Sequence, residues 1–239
     1  MVPALSDLKV KLFADGADLA GMIEMAAKSH IAGLTTNPTL MRKAGITDYS
    51  GFAKSVLAEI KDKPISFEVF GDELDEMKSQ AEKISSWGEN VYVKIPITNT
   101  RGESTKTVVK FLTRNGVKVN VTALMTVEQT KRVAEVLNLE APSCVSVFAG
   151  RIADTGRDPV LIMSKCLQIL ESNPNAELIW ASPRELLNVF QANQIGCQII
   201  TATNDILQKL SLVGKELEEY SLDTVKMFFN DAKISGYSI

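Results

Sequence analysis

The chain alternates short, apolar, β-branched segments with longer amphipathic ones, and this alternation restricts its fold more than any other feature. The short segments are typical of strands and lie at 10–14, 32–36, 65–70, 91–97, 118–124, 144–150, 177–182 and 197–203. A helix-like segment follows each of them, as expected for parallel strands joined by crossovers. Eight such units in 239 residues favour an α/β fold with one domain over 1–239, a (β/α)8 or TIM barrel. A doubly wound open sheet is the alternative, but the chain has no GxGxxG or GxxxxGK[ST] phosphate loop.

Local signals place several helix boundaries. Asp18 and Asp72 stand before two predicted helices as N-cap residues, and Thr126 opens a capping-box pattern. Gly33 is expected to end the first helix. A last amphipathic segment, 221–236, follows the eighth unit and is surplus to the barrel. We expect this additional C-terminal helix to close its own barrel or to be exchanged with a neighbouring subunit.

Composition excludes several classes of protein. The formal net charge of -3 leaves no basic excess for nucleic acid, so we expect no nucleic-acid partner. No apolar run reaches the roughly 18–20 residues of a membrane helix, and the N-terminal residues lack the pattern of a signal peptide. Cys144, Cys166 and Cys197 are widely spaced, which indicates neither disulfides nor a zinc site. These features predict a cytoplasmic globular protein without a membrane partner.

The chain contains a single histidine, His30, at the end of a predicted helix. A histidine in that position is typical of a surface or capping residue. If the protein is an enzyme, its proton transfers then fall to carboxylates, lysine, tyrosine or water. We therefore expect neither a Ser-His-Asp triad nor a histidine metal site.

Polar residues collect at the carboxyl ends of the predicted strands, where barrels of this type place their active sites. Seven successive strands carry them: Asp15, Thr35, Thr36, Asn37, Glu68, Lys94, Asn120, Thr122, Ser146, Arg151, Ser182 and Arg184. A purely structural barrel would tolerate one or two such residues. The pattern therefore predicts a polar site at this end of the barrel.

Lys94 is the most unusual of these residues, because it lies in the apolar segment VYVKIPI between Val93 and Ile95. Lysine is rarely buried without a partner or a function. Burial disfavours the charged ammonium, and the free amine that results can attack a carbonyl. The sequence therefore favours a nucleophilic lysine, with the solvated end of an edge strand as the alternative.

Two carboxylates accompany the lysine. Asp15 could cap the following helix, although Asp18 competes for that role. Glu68 is expected to point into the barrel, and a buried carboxylate needs a partner, for which Lys94 and Thr122 are the candidates. Asn120 shares one face of its strand with Thr122, which is consistent with a hydrogen-bonding inner wall and also with ordinary strand residues.

Cationic and hydroxyl side chains follow the sixth and seventh strands. Arg151 and Arg184, with Ser146 and Ser182, are candidates for a phosphate site, and Arg157 is an alternative member of that cluster. Phosphate sites of these barrels often lie in the late loops, and arginine binds phosphate through two parallel hydrogen bonds. The alternative is that these arginines form surface salt bridges.

At this point the sequence resembles a known family. GLTTNPTL at 33–40 matches the Thr-Thr-Asn-Pro signature of transaldolases, and VYVKIPIT at 91–98 is similar to the strand that bears their Schiff-base lysine. FADGADL, NVTALMT, SVFAGRIAD and WASPREL occur in the family's order and spacing, so the resemblance covers nearly the whole chain. Length and closing helix resemble the short branch of the family, which also contains fructose-6-phosphate aldolases.

The resemblance implies a role for each residue. Lys94 matches the imine-forming lysine, Asp15 the carboxylate that takes the C4 hydroxyl proton, and Glu68 with Thr122 the pair that holds the catalytic water. The remaining matches bind substrate: Asn37, Asn120 and Ser146 the dihydroxyacetone part with Thr35 in the same wall, and Arg151, Ser182 and Arg184 the phosphate. No metal or organic cofactor is implied.

The resemblance further implies an activity. A transaldolase of the pentose phosphate pathway transfers a dihydroxyacetone unit from sedoheptulose 7-phosphate or fructose 6-phosphate to glyceraldehyde 3-phosphate or erythrose 4-phosphate. Fructose-6-phosphate aldolases of the family typically have Gln and Tyr where this chain has Glu68 and Phe148, so transferase activity is favoured over lyase activity. A barrel that binds sugar phosphates without turnover is a further alternative. The short branch often forms decamers by exchanging the C-terminal helix, so a homo-oligomer is expected.

Overall fold

A computed structural model describes residues 4–239, and in this range eight parallel strands close into one barrel. The strands are β1 (Lys11–Asp15), β2 (Ile31–Thr35), β3 (Ile65–Glu68), β4 (Val91–Pro96), β5 (Val119–Leu124), β6 (Ser143–Val147), β7 (Ala176–Trp180) and β8 (Ile199–Thr203). Each strand pairs with the next along the chain, and β8 pairs with β1. The predicted single-domain (β/α)8 barrel is confirmed.

Helices surround the barrel. Within the described residues the α-helices are α1 (Leu19–Ala27), α2 (Pro38–Lys43), α3 (Tyr49–Glu59), α4 (Leu74–Ser85), α5 (Lys106–Arg114), α6 (Val127–Ala134), α7 (Ala149–Ala153), α8 (Pro159–Leu170), α9 (Leu187–Gln194), α10 (Asn204–Gln208) and α11 (Leu217–Ile234). There are also two short 3-10 helices in the described residues, Leu5–Asp7 and Lys209–Leu212.

The apolar residues form two cores, one between the sheet and the helices and one inside the barrel. Phe13 fills the inner core, and its ring lies against the backbone of Gly33 on the neighbouring strand. A Cβ at Gly33 would stand 2.5 Å from Phe13 Cζ, so any larger residue there would displace the ring. The prediction that Gly33 ends a helix is therefore wrong: it lies within β2 and makes room for the inner core.

Two of the three predicted N-caps occur in the structure. The Asp18 carboxylate accepts from the Gly21 amide at 2.7 Å, and Thr126 forms the expected capping box. Asp72 does not cap α4, which begins at Leu74. Its carboxylate instead accepts hydrogen bonds from the backbone and hydroxyl of Thr100.

Three strands end two or three residues earlier than predicted, and β2 and β4 end one residue earlier, at Thr35 and Pro96. β3 stops at Glu68, β6 at Val147 and β7 at Trp180. Phe70 lies beyond the end of β3, 52% exposed, with its ring against Tyr49. Each early strand end leaves a short loop at the rim of the barrel, where the side chains predicted for the site collect.

The C-terminal helix α11 begins at Leu217 and ends at Ile234, so it starts earlier and ends earlier than the predicted 221–236. None of its residues is buried. Phe228 and Phe229 are 62% and 68% exposed. The helix therefore does not close its own barrel. No helix in residues 4–239 has the length and apolar character needed to cross a membrane.

Candidate functional site

A cavity of about 570 Å³ opens at the carboxyl ends of the strands. This is the size of a pocket for a small molecule. Of the polar residues predicted at the strand ends, all but Thr36 line it, together with Phe148: Asp15, Thr35, Asn37, Glu68, Lys94, Asn120, Thr122, Ser146, Phe148, Arg151, Ser182 and Arg184. The structure therefore brings together side chains that come from seven different strands and the loops after them.

Lys94 lies on the inner face of β4 and is only 7% exposed. Its Nζ donates to the carbonyl oxygen of Thr36 at 2.7 Å and lies 3.3 Å from Glu68 Oε2. β4 pairs with β3 on one side and β5 on the other, so Lys94 is not on an edge strand. The side chain is enclosed by the barrel and reaches solvent only through the cavity.

Glu68 ends β3 and stands beside Lys94 in the strand register. One carboxylate oxygen faces the lysine ammonium, and the other accepts from the Thr122 hydroxyl at 3.4 Å. Both partners named from the sequence are therefore present. The three side chains form one polar group on the cavity wall, in which the carboxylate balances the lysine charge.

Asp15 ends β1 and is held by two neutral donors. Its Oδ1 accepts from the Thr35 hydroxyl at 2.8 Å and its Oδ2 from the Asn37 side-chain amide at 3.1 Å. Burial raises the pKa of this carboxyl above its ordinary value, against the opposing effects of Lys94 and the two hydrogen bonds. Asp18 caps the helix, so Asp15 is left to face the cavity.

Thr201, on β8, was not predicted as a site residue. Its hydroxyl lies 2.6 Å from the Thr35 hydroxyl, which already donates to Asp15. Since a hydroxyl has one proton, Thr201 donates to Thr35 in this arrangement. The chain of hydroxyls can reverse its direction when Asp15 gains a proton. Alternation along ITAT places Thr201 on the inner face of β8, and this was the signal that could have found it.

Asn37 has two tasks. Its Oδ1 accepts from the Leu40 amide and caps α2, while its Nδ2 donates to Asp15. The cap fixes the side chain so that its donor group faces the carboxylate. Pro38, directly after it, occupies the first helical position, where a missing N–H costs nothing.

A second polar group lies across the barrel floor. The Ser146 hydroxyl donates to Asn120 Oδ1 at 2.7 Å, and Asn120 Nδ2 donates to the Ser66 hydroxyl at 3.1 Å. All three side chains are buried. Asn120 is therefore held in one orientation, which fixes where the wall presents donors and acceptors.

The late loops approach each other closely. A Cβ at Gly150 would stand 1.6 Å from the Ser182 carbonyl oxygen, so only glycine fits there. Ser182 itself has φ 58, a left-handed conformation that is uncommon for serine. This close approach brings Arg151, next to Gly150, to the same part of the cavity as Ser182 and Arg184.

Arg184 forms a two-point ion pair with Asp154, with Nε to Oδ1 at 2.9 Å and Nη2 close to Oδ2. Its hydrogen bonds hold the pKa of Asp154 below the usual range. Arg157 does not join this cluster, because it is exposed, donates to Thr155 and does not line the cavity. The alternative assignment of Arg157 to the phosphate group is therefore not supported.

Other reactive residues lie elsewhere. His30 is exposed and does not line the cavity, as expected for a surface residue. Cys144, Cys166 and Cys197 are buried and unpaired. In the described part of the chain, no three His, Cys, Asp or Glu side chains are arranged to hold a metal ion.

Comparison with known proteins identifies the family. Residues 12–238 match the family profile described as transaldolase/fructose-6-phosphate aldolase. The chain belongs to this family. It is 34% identical over 218 residues to a probable transaldolase of Methanococcus maripaludis, which covers 90% of this chain and 97% of the relative. A probable transaldolase of Dehalococcoides mccartyi is 32% identical over 202 residues, 84% of this chain and 90% of the relative.

A third relative of this transaldolase-family chain is a probable transaldolase 2 of Listeria monocytogenes, 32% identical with 90% and 95% coverage. Among solved structures, it resembles an HpcH/Hpal aldolase/citrate lyase family protein from Burkholderia cenocepacia J2315, with a TM-score of 0.59, 12% identity and coverage of 93% and 97%. KGPDC from Streptococcus mutans gives a TM-score of 0.57 at 9% identity, with 84% and 91% coverage. At such low identity these two structures support the barrel fold alone.

Replacing the Asp15 carboxylate of this transaldolase-family chain should stabilise it. Folding raises the pKa of Asp15. As pH rises through the folded-state pKa, the folded protein therefore loses stability, because the carboxyl must ionise in a site that disfavours its charge. Asp15→Asn is therefore expected to raise the melting temperature at pH 7 by about 2–4 °C, and by less in acid, where the wild-type carboxyl is already protonated. Calorimetry at several pH values measures the difference.

The matched variant is Asp15→Ala. The asparagine keeps partners, because Thr35 can turn its proton to Thr201 and accept from the new amide. Alanine leaves the Asn37 amide unpaired and should lower the melting temperature. An Asp15→Asn variant less stable than wild type at neutral pH would contradict the prediction.

Proposed function

We propose that the protein is a transaldolase that forms a Schiff base through Lys94. One observation carries this proposal: an enclosed lysine amine faces a cavity of about 570 Å³, beside one carboxylate and near a second. An amine that can form an imine and carboxylates that can transfer protons are the groups an enzyme needs to cleave a ketose without an external electron acceptor. The family match and the names of the relatives support the proposal.

The first step is imine formation. Lys94 Nζ passes a proton to Glu68 and, as the free amine, attacks the C2 carbonyl of the ketose phosphate. Glu68 then returns the proton to the carbinolamine oxygen, which leaves as water as the imine forms. Glu68 and Thr122 face each other across 3.4 Å at the lysine. They are suited to hold the water that leaves here and that hydrolyses the imine later, with Glu68 carrying its proton.

The second step breaks the C3–C4 bond. Asp15 accepts the proton of the C4 hydroxyl, C4 leaves as an aldehyde, and the bonding electron pair passes into the protonated imine as an enamine. The raised pKa of Asp15 suits a group that must hold this proton. Its proton can be shared with the hydroxyls of Thr35 and Thr201.

The third step forms the new bond. The enamine carbon C3 attacks the aldehyde carbon of the acceptor, and Asp15 returns its proton to the new C4 oxygen. Asn37, Asn120 and Ser146 are placed to bind hydroxyls of the retained dihydroxyacetone unit, since each offers a polar atom to the cavity. Hydrolysis of the imine then frees the product ketose phosphate.

The substrate phosphate is assigned to the late loops. Arg151, Ser182 and Arg184 converge there, and two guanidinium groups suit a dianion. Arg184 is paired with Asp154, so phosphate would compete with that carboxylate for the same donors. Arg151 has no such salt bridge among the described residues and is the stronger candidate.

Transfer is favoured over release of the three-carbon unit by Phe148. Its ring is half-buried in the cavity wall, 5.8 Å from the Arg151 guanidinium carbon, and carries no hydroxyl. A tyrosine hydroxyl in this position could protonate the enamine and lead to release as in an aldolase.

The proposed donor ketose phosphates and acceptor aldose phosphates are those of the pentose phosphate pathway. The cytoplasmic location expected from the sequence stays a prediction.

Borohydride trapping tests the central step. Incubation with fructose 6-phosphate and borohydride is expected to add mass to the peptide that contains Lys94, because the reduced imine is a stable secondary amine. Lys94→Met should give no adduct, whereas Lys106→Met, at an exposed position, should behave as wild type. Absence of an adduct in the wild-type protein would refute the Schiff base and leave a non-catalytic sugar-phosphate binder.

The choice between transfer and cleavage is tested by the acceptor. Consumption of fructose 6-phosphate should be at least about 10-fold faster with erythrose 4-phosphate than without it. The reason is that the enamine is consumed by adding to the acceptor aldehyde, and without an acceptor it stays bound to Lys94. Phe148→Tyr should raise the acceptor-independent rate, and Phe148→Leu, which adds no hydroxyl, should not. Equal rates with and without acceptor would favour the aldolase.

We further propose a homo-oligomer assembled through α11. Its apolar residues, including Leu217, Phe228 and Phe229, are exposed, and a contiguous apolar face of this kind is typical of an interaction surface. A second copy of the chain is the proposed partner, with a decamer as the expected form.

Light scattering of the full-length protein tests the assembly. An oligomer is expected, and replacing Phe228 and Phe229 by aspartate should reduce its mass, because charges do not tolerate an apolar interface. Lys226→Asp, on the same helix, serves as the control for added negative charge. A wild-type monomer would refute the proposal.

A further inference from the structure

The ladder between β2 and β3, beside the lysine, is short. Their paired register covers only Leu34 with Ile65 and Thr35 with Ser66. The Thr36 amide still donates to the Ser66 carbonyl at 3.2 Å. Two residues further along β3, at Glu68, the two strands no longer bond to each other.

Glu68 would be the next residue of β3 to bond to β2. The amide of Val69 donates to Lys94 on β4, so the amide and carbonyl of Glu68 point the opposite way, towards β2. A continued parallel ladder would pair the Glu68 amide with the Thr36 carbonyl and the Glu68 carbonyl with the amide of residue 38. Residue 38 is proline and has no amide hydrogen to donate.

The hydroxyl of Tyr49 replaces both of these missing hydrogen-bond partners of Glu68. It accepts from the Glu68 amide at 2.7 Å and donates to the Glu68 carbonyl at 2.9 Å. Burial raises the pKa of Tyr49, so the hydroxyl keeps the proton that it donates. One side-chain group therefore satisfies the two backbone groups of Glu68 that lost their partners on β2.

The Thr36 carbonyl is consequently available to another donor, and that donor is Lys94 Nζ at 2.7 Å. If the Glu68 amide occupied this carbonyl, it would compete with the ammonium for it. The same arrangement fixes the backbone of Glu68, whose carboxylate lies 3.3 Å from Lys94. Tyr49 thus touches neither the lysine nor the cavity but acts on both partners of the ion pair.

Tyr49 is itself held in place by three aromatic rings. Its centroid lies 6.3 Å from Phe67, 4.4 Å from Phe70 and 5.7 Å from Trp87, all at steep angles. Edge-to-face contacts of this kind stabilise a ring in one orientation. The phenol is therefore positioned from outside the barrel by packing that does not depend on its hydroxyl.

We propose that Tyr49 is a positioning residue for the imine chemistry of the protein: its hydroxyl holds Glu68 away from β2 and so leaves the Thr36 carbonyl to Lys94. The inference rests on the proposed Schiff-base function. It assigns Tyr49 no contact with substrate and predicts an effect on the rate of the chemical steps with little effect on substrate binding.

Tyr49→Phe removes the hydroxyl and keeps the ring. β3 is then expected to move towards β2 until the Glu68 amide finds the Thr36 carbonyl, which displaces Lys94 and the Glu68 carboxylate. Small displacements of reacting groups are costly, so we expect kcat with fructose 6-phosphate and erythrose 4-phosphate to fall about 10-fold. KM for fructose 6-phosphate should change by less than about 2-fold, because the residues assigned to its binding are untouched.

Tyr92→Phe is the matched control. Tyr92 is also partly buried and lies on the strand of Lys94, but its hydroxyl makes no hydrogen bond within residues 4–239, so kcat should be unchanged. A double-mutant cycle of Tyr49→Phe with Glu68→Gln gives a second readout. If Tyr49 acts through Glu68, the losses in kcat should be less than additive.

The outcomes separate the two proposals. Failure of the wild-type protein to form a borohydride adduct would overturn the proposed function, and the inference with it. An active wild type with an unchanged kcat in Tyr49→Phe, a change confined to KM, or additive losses in the cycle would overturn the inference alone.

If Tyr49→Phe does not fold, 3-fluorotyrosine at position 49 keeps ring and hydroxyl while weakening the oxygen as an acceptor. A lowered kcat with unchanged KM supports the inference there, and wild-type kinetics overturn it.

Discussion

The placement of one ammonium group inside the barrel is the constraint on which the rest of the site depends. A lysine that is removed from water needs acceptors close by, because its charge is no longer solvated. Lys94 has two, the Thr36 carbonyl at 2.7 Å and the Glu68 carboxylate at 3.3 Å. Glu68 is on the adjacent strand β3, whereas Thr36 directly follows β2, one strand further away, so the lysine depends on the Thr36 carbonyl being left out of the ladder between β2 and β3.

The two carboxylates of the cavity are held by different chemistry, and this separates their roles. Glu68 faces the lysine ammonium and the Thr122 hydroxyl. Asp15 is held by the neutral donors of Thr35 and Asn37, and burial raises its pKa. In the proposed mechanism Asp15 therefore carries the proton of the C4 hydroxyl, while Glu68 serves the water of the imine steps.

Much of the fold and of the site could be predicted from the sequence. Strand alternation, N-caps and the polar residues at strand ends are local patterns, and of the twelve polar residues marked at strand ends all but Thr36 line the cavity. The errors were at boundaries, as for 221–236, or concerned residues whose neighbour is distant in sequence. Gly33 is the clearest example, since its reason is the Phe13 ring on another strand.

The sequence by itself determined the barrel, the buried lysine and the set of polar side chains, because each follows from periodicity within one strand or one turn. Only the tertiary structure decided which of them touch. Thr35 and Thr201 are 166 residues apart along the chain, and Tyr49 reaches Glu68 from a helix outside the barrel. These contacts depend on how strands close and helices pack, which no local pattern specifies.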